Sequence, residues 1–519
     1  MLDKRPRRAD LLIEHLHLIQ DQFGHISARH LAALANEMKL SQAEVYEVAT
    51  FYAHFDVVKE GQTPPPELTV RVCDGIACEL AGANGLIETL KTAMGDAVRV
   101  IPTPCIGACD AAPAAVVGKN RVAPADVSIV TSAINSVPIL PAPTGFKTYL
   151  AQGGYALLKS CQAGDRERED VLGEIEQSGL RGLGGAGFPV ARKWRFMLDA
   201  PKPRLMAINA DEGEPGTFKD RHCLETDPHR VIEGALLAAW IIEAEEIYIY
   251  LRDEYPHIHQ ILETEIAQVA AAGLSEGVTL HLRRGAGAYI CGEESALLES
   301  LEGKRGLPRN RPPYPAQAGL FGRPTLINNV ESLFWLRQIV EDGADAYQKA
   351  GRPHFFSVSG RVKNPGVKLA PAGTTVRQLI EDYSGGMADG HTLKAYLPGG
   401  ASGGILPASM ADLPLDFGTL EEYGCFVGSA AVVVISESDN IKSVVRNLIH
   451  FFEDESCGQC TPCRAGCEKL SVLLSEPELD NELIGELAEA MREASICGLG
   501  QAAANPVVSA LRFLKDEMA

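Results

Sequence analysis

Apolar positions Ile441, Val444, Val445, Leu448, Ile449 and Phe452 recur at helical spacing, which predicts an amphipathic helix opening a C-terminal helical bundle. At the other end, Ser41 and Glu44 form a capping-box pattern ahead of Val45, Val48, Ala49 and Tyr52, so residues 8–54 read as mostly helical. A proline-rich hinge at 63–66 precedes a strand at 68–72, a helical stretch near 86–94 and a second strand at 98–101, a βαβ unit. Three prolines within 137–145 mark a linker, and a long α/β region follows to about residue 345. From 355 to 438 short strands alternate with turns at Asn364-Pro365-Gly366 and Gly399-Gly400, which predicts a small β-rich module with one helix. No repeat of solenoid period occurs. The expected boundaries are 1–60, 61–136, a linker at 137–145, 146–350, 351–440 and 441–519.

At 519 residues the chain exceeds one hydrophobic core, and 46% apolar with 22% charged residues is an ordinary globular composition. The net charge of −20 disfavours nucleic acid or an anionic membrane as partner. The longest apolar runs, at 234–242 and 425–435, fall short of the roughly 18 residues a spanning helix needs. With no recognisable Sec or twin-arginine signal, a cytoplasmic protein without membrane insertion is expected. In that compartment the 13 cysteines are expected as metal ligands and buried thiols.

Cys73 and Cys78 follow the first strand of the βαβ unit, and Cys105 and Cys109 follow the second. Parallel strands place both pairs at one sheet edge, where four thiolates can hold a [2Fe-2S] cluster; zinc or unrelated buried thiols are the alternatives. Cys457, Cys460 and Cys463 have the C-x2-C-x2-C spacing of a [4Fe-4S] loop. Cys467 and Cys497 compete as fourth ligand. Cys497 is preferred, because in the ferredoxin run that Cys467 would imitate the fourth cysteine serves another cluster and precedes proline, whereas Glu468 follows here.

Three further segments suggest nucleotide chemistry. Gly182-Leu183-Gly184-Gly185-Ala186-Gly187 matches G-x-G-x-x-G, but a helical stretch precedes it and Phe188-Pro189 follows, so it is a glycine loop outside the ordinary dinucleotide context or a plain turn. Lys193 stands near enough in sequence to add positive charge for a phosphate. Asp211, Glu212 and Glu214 follow an apolar run ending in Asn209, suited to ribose hydroxyls or a flavin edge and unsuited to a 2′-phosphate, unless they form only a solvated turn. The stretch containing Gly285, Tyr289, Gly292, Glu293 and Glu294 leads into an apolar helix, for ligand contact or for close packing.

Together, residues 181–194, 209–221, 285–294, 301–313, Asn328-Asn329 and 456–464 resemble the flavoprotein subunit of the NADH dehydrogenase (complex I) family. Residues 8–135 resemble that family's small [2Fe-2S] subunit, here fused in front. The fusion is similar to the diaphorase subunits of cytoplasmic metal-dependent NAD formate dehydrogenases, a likeness carried by 51–60, 398–410 and 452–464. The resemblance implies an α/β multidomain fold: N-terminal helices, a thioredoxin-like domain, a Rossmann-like FMN/NAD domain, a β-grasp domain and a C-terminal [4Fe-4S] helical bundle. It implies FMN contacts at Gly182, Gly184, Lys193, Asn209, Asp211, Glu212, Tyr289, Gly292, Glu293, Asn328 and Asn329. It implies NAD contacts at Phe188, Phe196, Glu214, Glu294 and Arg311. Leu183 stands where the family commonly has arginine, and Arg311 where it often has lysine.

The implied activity is hydride exchange between NAD(H) and FMN, with single electrons moving through the clusters and no protein acid or nucleophile required. A partner subunit carrying molybdenum or tungsten would oxidise formate. The alternatives are the diaphorase subunit of a nickel-iron hydrogenase, that of a complex I-like enzyme, and an electron-transfer scaffold without a working nicotinamide site. A zinc-dependent nucleic-acid binder is disfavoured by the charge.

Overall fold

The computed structural model describes residues 5–136 and 141–518. Three N-terminal helices, Leu12–Phe23, Ala28–Met38 and Gln42–Phe51, open the chain. The capping box forms as its pattern requires, with Ser41 Oγ accepting from the Glu44 amide at 3.1 Å and Glu44 accepting from the Ser41 amide at 2.8 Å. These helices do not make a core of their own. Leu16, Leu34 and Val45 share one apolar cluster with Leu205, Tyr248 and Leu297 of the large α/β region.

The βαβ unit has parallel strands Leu68–Cys73 and Val98–Thr103, in register from Leu68↔Val98 to Cys73↔Thr103, around helix Ala83–Met94. A hairpin, Ala115–Val117 and Asn120–Val122, adds antiparallel to the first strand and completes a thioredoxin-like sheet. Residues 137–140 of the expected linker lie outside the described residues, and 141–145 carry no regular structure.

The large region is a four-stranded parallel sheet in the order Thr325–Asn329, Arg204–Ala210, Ala244–Leu251, Thr279–Arg284. Its first three strands in sequence add in one direction and the last returns to the opposite edge. Strand order therefore reverses beside Arg204–Ala210, and the crevice at the carboxyl ends there is where ligands bind in open α/β sheets. Helix Pro228–Ile242 is buried along most of its length, and its Gly234 permits backbone contact: a Cβ there would lie 2.1 Å from the Leu333 carbonyl oxygen.

The β-rich module is a mixed five-stranded sheet, ordered Gly366–Ala370, His354–Gly360, Ala431–Ser436, Leu393–Leu397, Leu406–Pro407. One helical run, Val376–Gln378 continuing through Leu379–Tyr383, covers it. Helix Ile441–Asp454 buries all six positions of its predicted face. Helices Thr461–Ser475, Asn481–Ala494 and Asn505–Phe513 complete the bundle. Among the described residues no helix is long and apolar enough to cross a membrane.

Candidate cofactor cleft and two thiol sites

The first four cysteines meet because the strands carrying them are parallel. Cys73 ends its strand, Cys78 lies in helix Ile76–Leu80, and Cys105 and Cys109 lie in the loop beyond the second strand. All four are buried, with Cys105 Sγ 3.3 Å from Cys109 Sγ and Cys73 in contact with Cys78 and Cys105. Contacts with Cys109 and Cys73 lower the Cys105 thiol and raise those two partners, as expected of thiols that share a buried site. Gly75 lies against the same group: a Cβ there would be 3.4 Å from Cys105 Cβ and 3.5 Å from Cys73 Sγ, in ordinary contact. Four buried thiols in contact, with no other donor among them, are a ligand set that fits a [2Fe-2S] cluster.

This thiol site is sealed against the sheet region. Ala77, Cys105 and Cys109 pack with Phe218, and the Arg252 guanidinium donates to the Cys105 carbonyl at 2.6 Å and to the Glu212 carbonyl. Arg221 pairs with Asp110 at 2.8 Å, and Arg121 with Glu225 at 2.9 Å, across the same interface.

The second thiol site is a cavity lined by Cys457, Cys460, Cys463 and Cys497, with Ile290, Phe452 and Leu499 as apolar walls. Cys460 immediately precedes helix Thr461–Ser475 and Cys497 immediately precedes Gly498–Ala502. Cys467 lies one turn beyond Cys463 in that helix, fully buried in the bundle core with Leu470 and Leu474, with its thiol in contact with Cys463. Gly500 closes the cavity tightly, since a Cβ there would sit 2.9 Å from Cys463 Cβ. The donor set and apolar lining fit a [4Fe-4S] cluster.

Between the two lies the crevice at the strand-order reversal. The Asn209 side chain donates to the Gly292 carbonyl at 2.8 Å and accepts from the Asp211 amide at 3.1 Å, tying the acidic loop to the second glycine stretch. Asp211 Oδ2 is buried without a partner, and burial raises its carboxyl well above the usual range. That unpaired oxygen is what a bound polar group would satisfy. Asn328 accepts from the Trp194 indole at 3.1 Å, while Asn329 caps helix Val330–Phe334 and donates to Asp220 at 2.5 Å. The glycine loop closes through the Gly182 amide on the Phe188 carbonyl, and Gly184 presses on Asn329, where a Cβ would meet the asparagine Cβ at 3.0 Å. Gly182, Gly184, Asn209, Asp211, Gly292 and Asn329 thus form one backbone-rich cradle, suited to a flavin and its phosphate.

Tyr289 stands between the cradle and the second thiol site. Its hydroxyl donates to Glu214, its amide donates to Glu455 at 2.8 Å, and its ring lies 4.9 Å from that of Phe451. Glu214 also accepts from the Ser402 amide and hydroxyl at 2.7 and 2.8 Å. At the mouth, Phe188 and Phe196 remain 42% and 49% exposed, 6.4 Å apart, with the Arg192 guanidinium over both rings. Lys193 pairs with Glu294 at 3.2 Å. Arg311 pairs with Glu293 and Glu294.

Two expected flavin contacts have other work at their side chains. Glu212 accepts from the Asp220 and Arg221 amides at 2.7 and 3.0 Å and from the Tyr255 hydroxyl at 3.0 Å, so its carboxylate holds helix Lys219–Thr226. Glu293 caps helix Glu294–Leu301 through the Ser295 and Ala296 amides. Leu183 is buried in the main core, and its amide donates to Ser332 Oγ at 2.9 Å. Sequence reasoning missed Ser402, Glu455 and Arg252. Ser402 lies in a segment whose signal is its family likeness, and the other two stand in ordinary charged runs, 252–254 and 453–455, with the partners that place them, the Cys105 and Glu212 carbonyls and the Tyr289 amide, distant in sequence.

Four regions of the chain match known families: residues 1–137 a thioredoxin-like [2Fe-2S] ferredoxin, 175–338 the Nuo51 FMN-binding domain, 355–406 an SLBB domain, and 443–519 the NADH-ubiquinone oxidoreductase-F iron-sulfur binding region. An F-type subunit of NADH-quinone oxidoreductase from Rhizobium meliloti is 40% identical over 390 residues, spanning 71% of this chain and 92% of that protein. The chain belongs to the F-type subunits of NADH-quinone oxidoreductase. The corresponding protein of Aquifex aeolicus is 41% identical over 388 residues, spanning 71% of this chain and 89% of that one. A chain of an NAD+-reducing [NiFe]-hydrogenase in the air-oxidised state superposes with a TM-score of 0.85 at 32% identity, covering 99% of this chain and 94% of that one. In the H2-reduced state the values are 0.87, 33%, 99% and 93%. This F-type homologue is an NADH dehydrogenase module of a multi-subunit oxidoreductase, with an FMN-binding domain and regions for a [2Fe-2S] and a [4Fe-4S] cluster.

Proposed function

We propose that this F-type homologue is the diaphorase subunit of a cytoplasmic NAD-dependent formate dehydrogenase, reducing NAD+ with electrons from a molybdenum- or tungsten-containing partner. The observation that carries the diaphorase reading is the place of Tyr289, which touches Glu214 of the acidic loop and also lines the Cys457–Cys460–Cys463–Cys497 cavity. Bound FMN supplies the exchange between two-electron hydride transfer and single-electron transfer. Gly182, Gly184, Asn209, Asp211, Gly292, Asn328 and Asn329 hold it, with Lys193 offsetting phosphate charge. Phe188 and Phe196 offer rings for stacking NAD(H), and Glu214, Glu294 and Arg311 border the same mouth. The carboxylates there disfavour a 2′-phosphate, which supports NAD over NADP. Cys73, Cys78, Cys105 and Cys109 hold the [2Fe-2S] cluster, and Cys457, Cys460, Cys463 and Cys497 the [4Fe-4S] cluster.

The formate partner is supported by the likeness in residues 51–60, 398–410 and 452–464; the fused arrangement is shared with the hydrogenase chain. A hydrogenase partner is the second reading, favoured by the superposition over 99% of the chain. Affinity purification of the tagged chain from its native cells, followed by NAD+ reduction with formate or with H2, separates them. Formate-dependent reduction and bound molybdenum or tungsten are expected; H2-dependent reduction with bound nickel would transfer the assignment to the second reading. Titration of the FMN-loaded chain with NADH is expected to bleach the flavin and reduce both clusters. Cluster signals with dithionite but none with NADH would leave only an electron-transfer scaffold.

A further inference from the structure

Arg252 is a buried cation wedged between the flavin crevice and the first thiol site, and the function proposed above gives it no role. It follows strand Ala244–Leu251 directly, at the carboxyl edge of the sheet. Its guanidinium reaches the Cys105 carbonyl at 2.6 Å, the Glu212 carbonyl, and the Glu254 carboxylate at 3.0 Å. The side chain is 4% exposed, and a guanidinium cannot shed its charge in a protein.

We propose that Arg252 raises the reduction potential of the [2Fe-2S] site, keeping it more readily reduced than its four thiolates alone would allow. Reduction adds one electron and therefore one negative charge, with no proton needed. A fixed cation at hydrogen-bond distance from a ligand residue's carbonyl stabilises that added charge, and does so strongly where water is excluded. The guanidinium also draws electron density from the Cys105 peptide, the route by which hydrogen bonds around the ligands tune metal sites. Glu254, which pairs with Arg252, opposes this effect. Glu254 in turn has His54 3.7 Å away, and His54 bonds to Asp253 at 2.8 Å. The same arginine fixes the backbone of Glu212, next to Asp211 of the cradle, so one side chain sets both the charge at the thiol site and the spacing between the two centres.

The inference rests on the assignment of Cys73, Cys78, Cys105 and Cys109 to the [2Fe-2S] cluster. Its test is a mediated redox titration of the full anaerobic holoprotein with dithionite, following the spin-resonance signals of both clusters. Arg252→Gln is expected to lower the [2Fe-2S] midpoint by at least a tenfold change in the equilibrium, 59 mV for one electron. Arg252→Lys should keep most of the wild-type value, and Glu254→Gln should raise it, with the [4Fe-4S] midpoint as internal reference. An unmoved midpoint in Arg252→Gln, or shifts of the same sign in Arg252→Gln and Glu254→Gln, would overturn the role of Arg252 alone. If Arg252→Gln does not fold, Arg252→Met, which keeps the length of the side chain and removes its charge, is read in the same way: a lowered [2Fe-2S] midpoint is expected, and an unmoved one overturns the role. A wild-type protein with no [2Fe-2S] signal would overturn the cysteine assignment, and this inference with it.

Discussion

Glu225 is the most informative single position at the junction of the thioredoxin-like domain with the sheet region. It bonds to His257 at 2.6 Å, to Arg221 at 3.2 Å on its own helix, and to Arg121 at 2.9 Å from the hairpin strand Asn120–Val122. Burial pushes its carboxyl up, but His257, Arg221 and Arg121 outweigh that and bring it from 4.5 down to about 2. The displacement corresponds to about 3 kcal/mol favouring the ionised form, the scale expected when one partner is removed from a largely buried ion pair. His257 is itself held below its usual range by burial, so near neutral pH it contributes a hydrogen bond and the two arginines supply the charge. Glu225→Gln would leave Arg121 without its carboxylate and Arg221 with Asp110 alone. Hydrogen exchange in Asn120–Val122 and in helix Lys219–Thr226 should then quicken by about a hundredfold, if the interface opens as a unit. Because the folded-state value is depressed, the contribution is fully present above about pH 4.5 and disappears as pH falls towards 2, so the penalty must shrink over that window. Wild-type protection in Glu225→Gln at neutral pH, or a penalty unchanged down to pH 2, would refute the reasoning.

At the second thiol site, Cys497→Ala should lose the [4Fe-4S] iron and its spin-resonance signal, whereas Cys467→Ala should keep both and lose only about 1 kcal/mol of stability in denaturant titration. Gly187 has φ +63° and would place a Cβ 2.4 Å from the Phe417 ring, so Gly187→Ala should strain the glycine loop and weaken FMN retention at least tenfold by flavin fluorescence. Truncating either exposed ring, Phe188→Ala or Phe196→Ala, should raise the KM for NADH roughly 5- to 150-fold at unchanged FMN content, as removal of about 1–3 kcal/mol of stacking requires.

Cysteine spacing, glycine punctuation and helical periodicity are local properties, legible in the sequence alone. The six apolar positions from Ile441 to Phe452 are all buried, the capping box at Ser41 forms, and the α/β multidomain plan stands. The first four cysteines were legible as a group because a right-handed βαβ crossover makes its strands parallel, which puts their loops on one edge. Which of Cys467 and Cys497 faces the other three thiols is not a local property. Helical phase turns Cys467 into the bundle core, while a distant loop delivers Cys497 to the cavity.

Other features had no local signature. The N-terminal helices read as a separate segment, yet they share a core with the sheet region, where the Tyr52 hydroxyl reaches Ser300 at 2.8 Å and His17 meets the Gly285 carbonyl at 2.7 Å. Glu212 of the acidic loop and Glu293 of the second glycine stretch were expected at the flavin through the family resemblance; in the fold, orphan amides at nearby helix starts bind their carboxylates. Arg252, Glu225 and Ser402 are placed by partners far away in the chain: the Cys105 carbonyl, Arg121 and Glu214. The sequence by itself determined the chemistry this protein carries, because ligand type and spacing are written in short runs. Tertiary structure decided which groups share a buried, low-dielectric space, because burial and charge pairing depend on segments that only folding brings together.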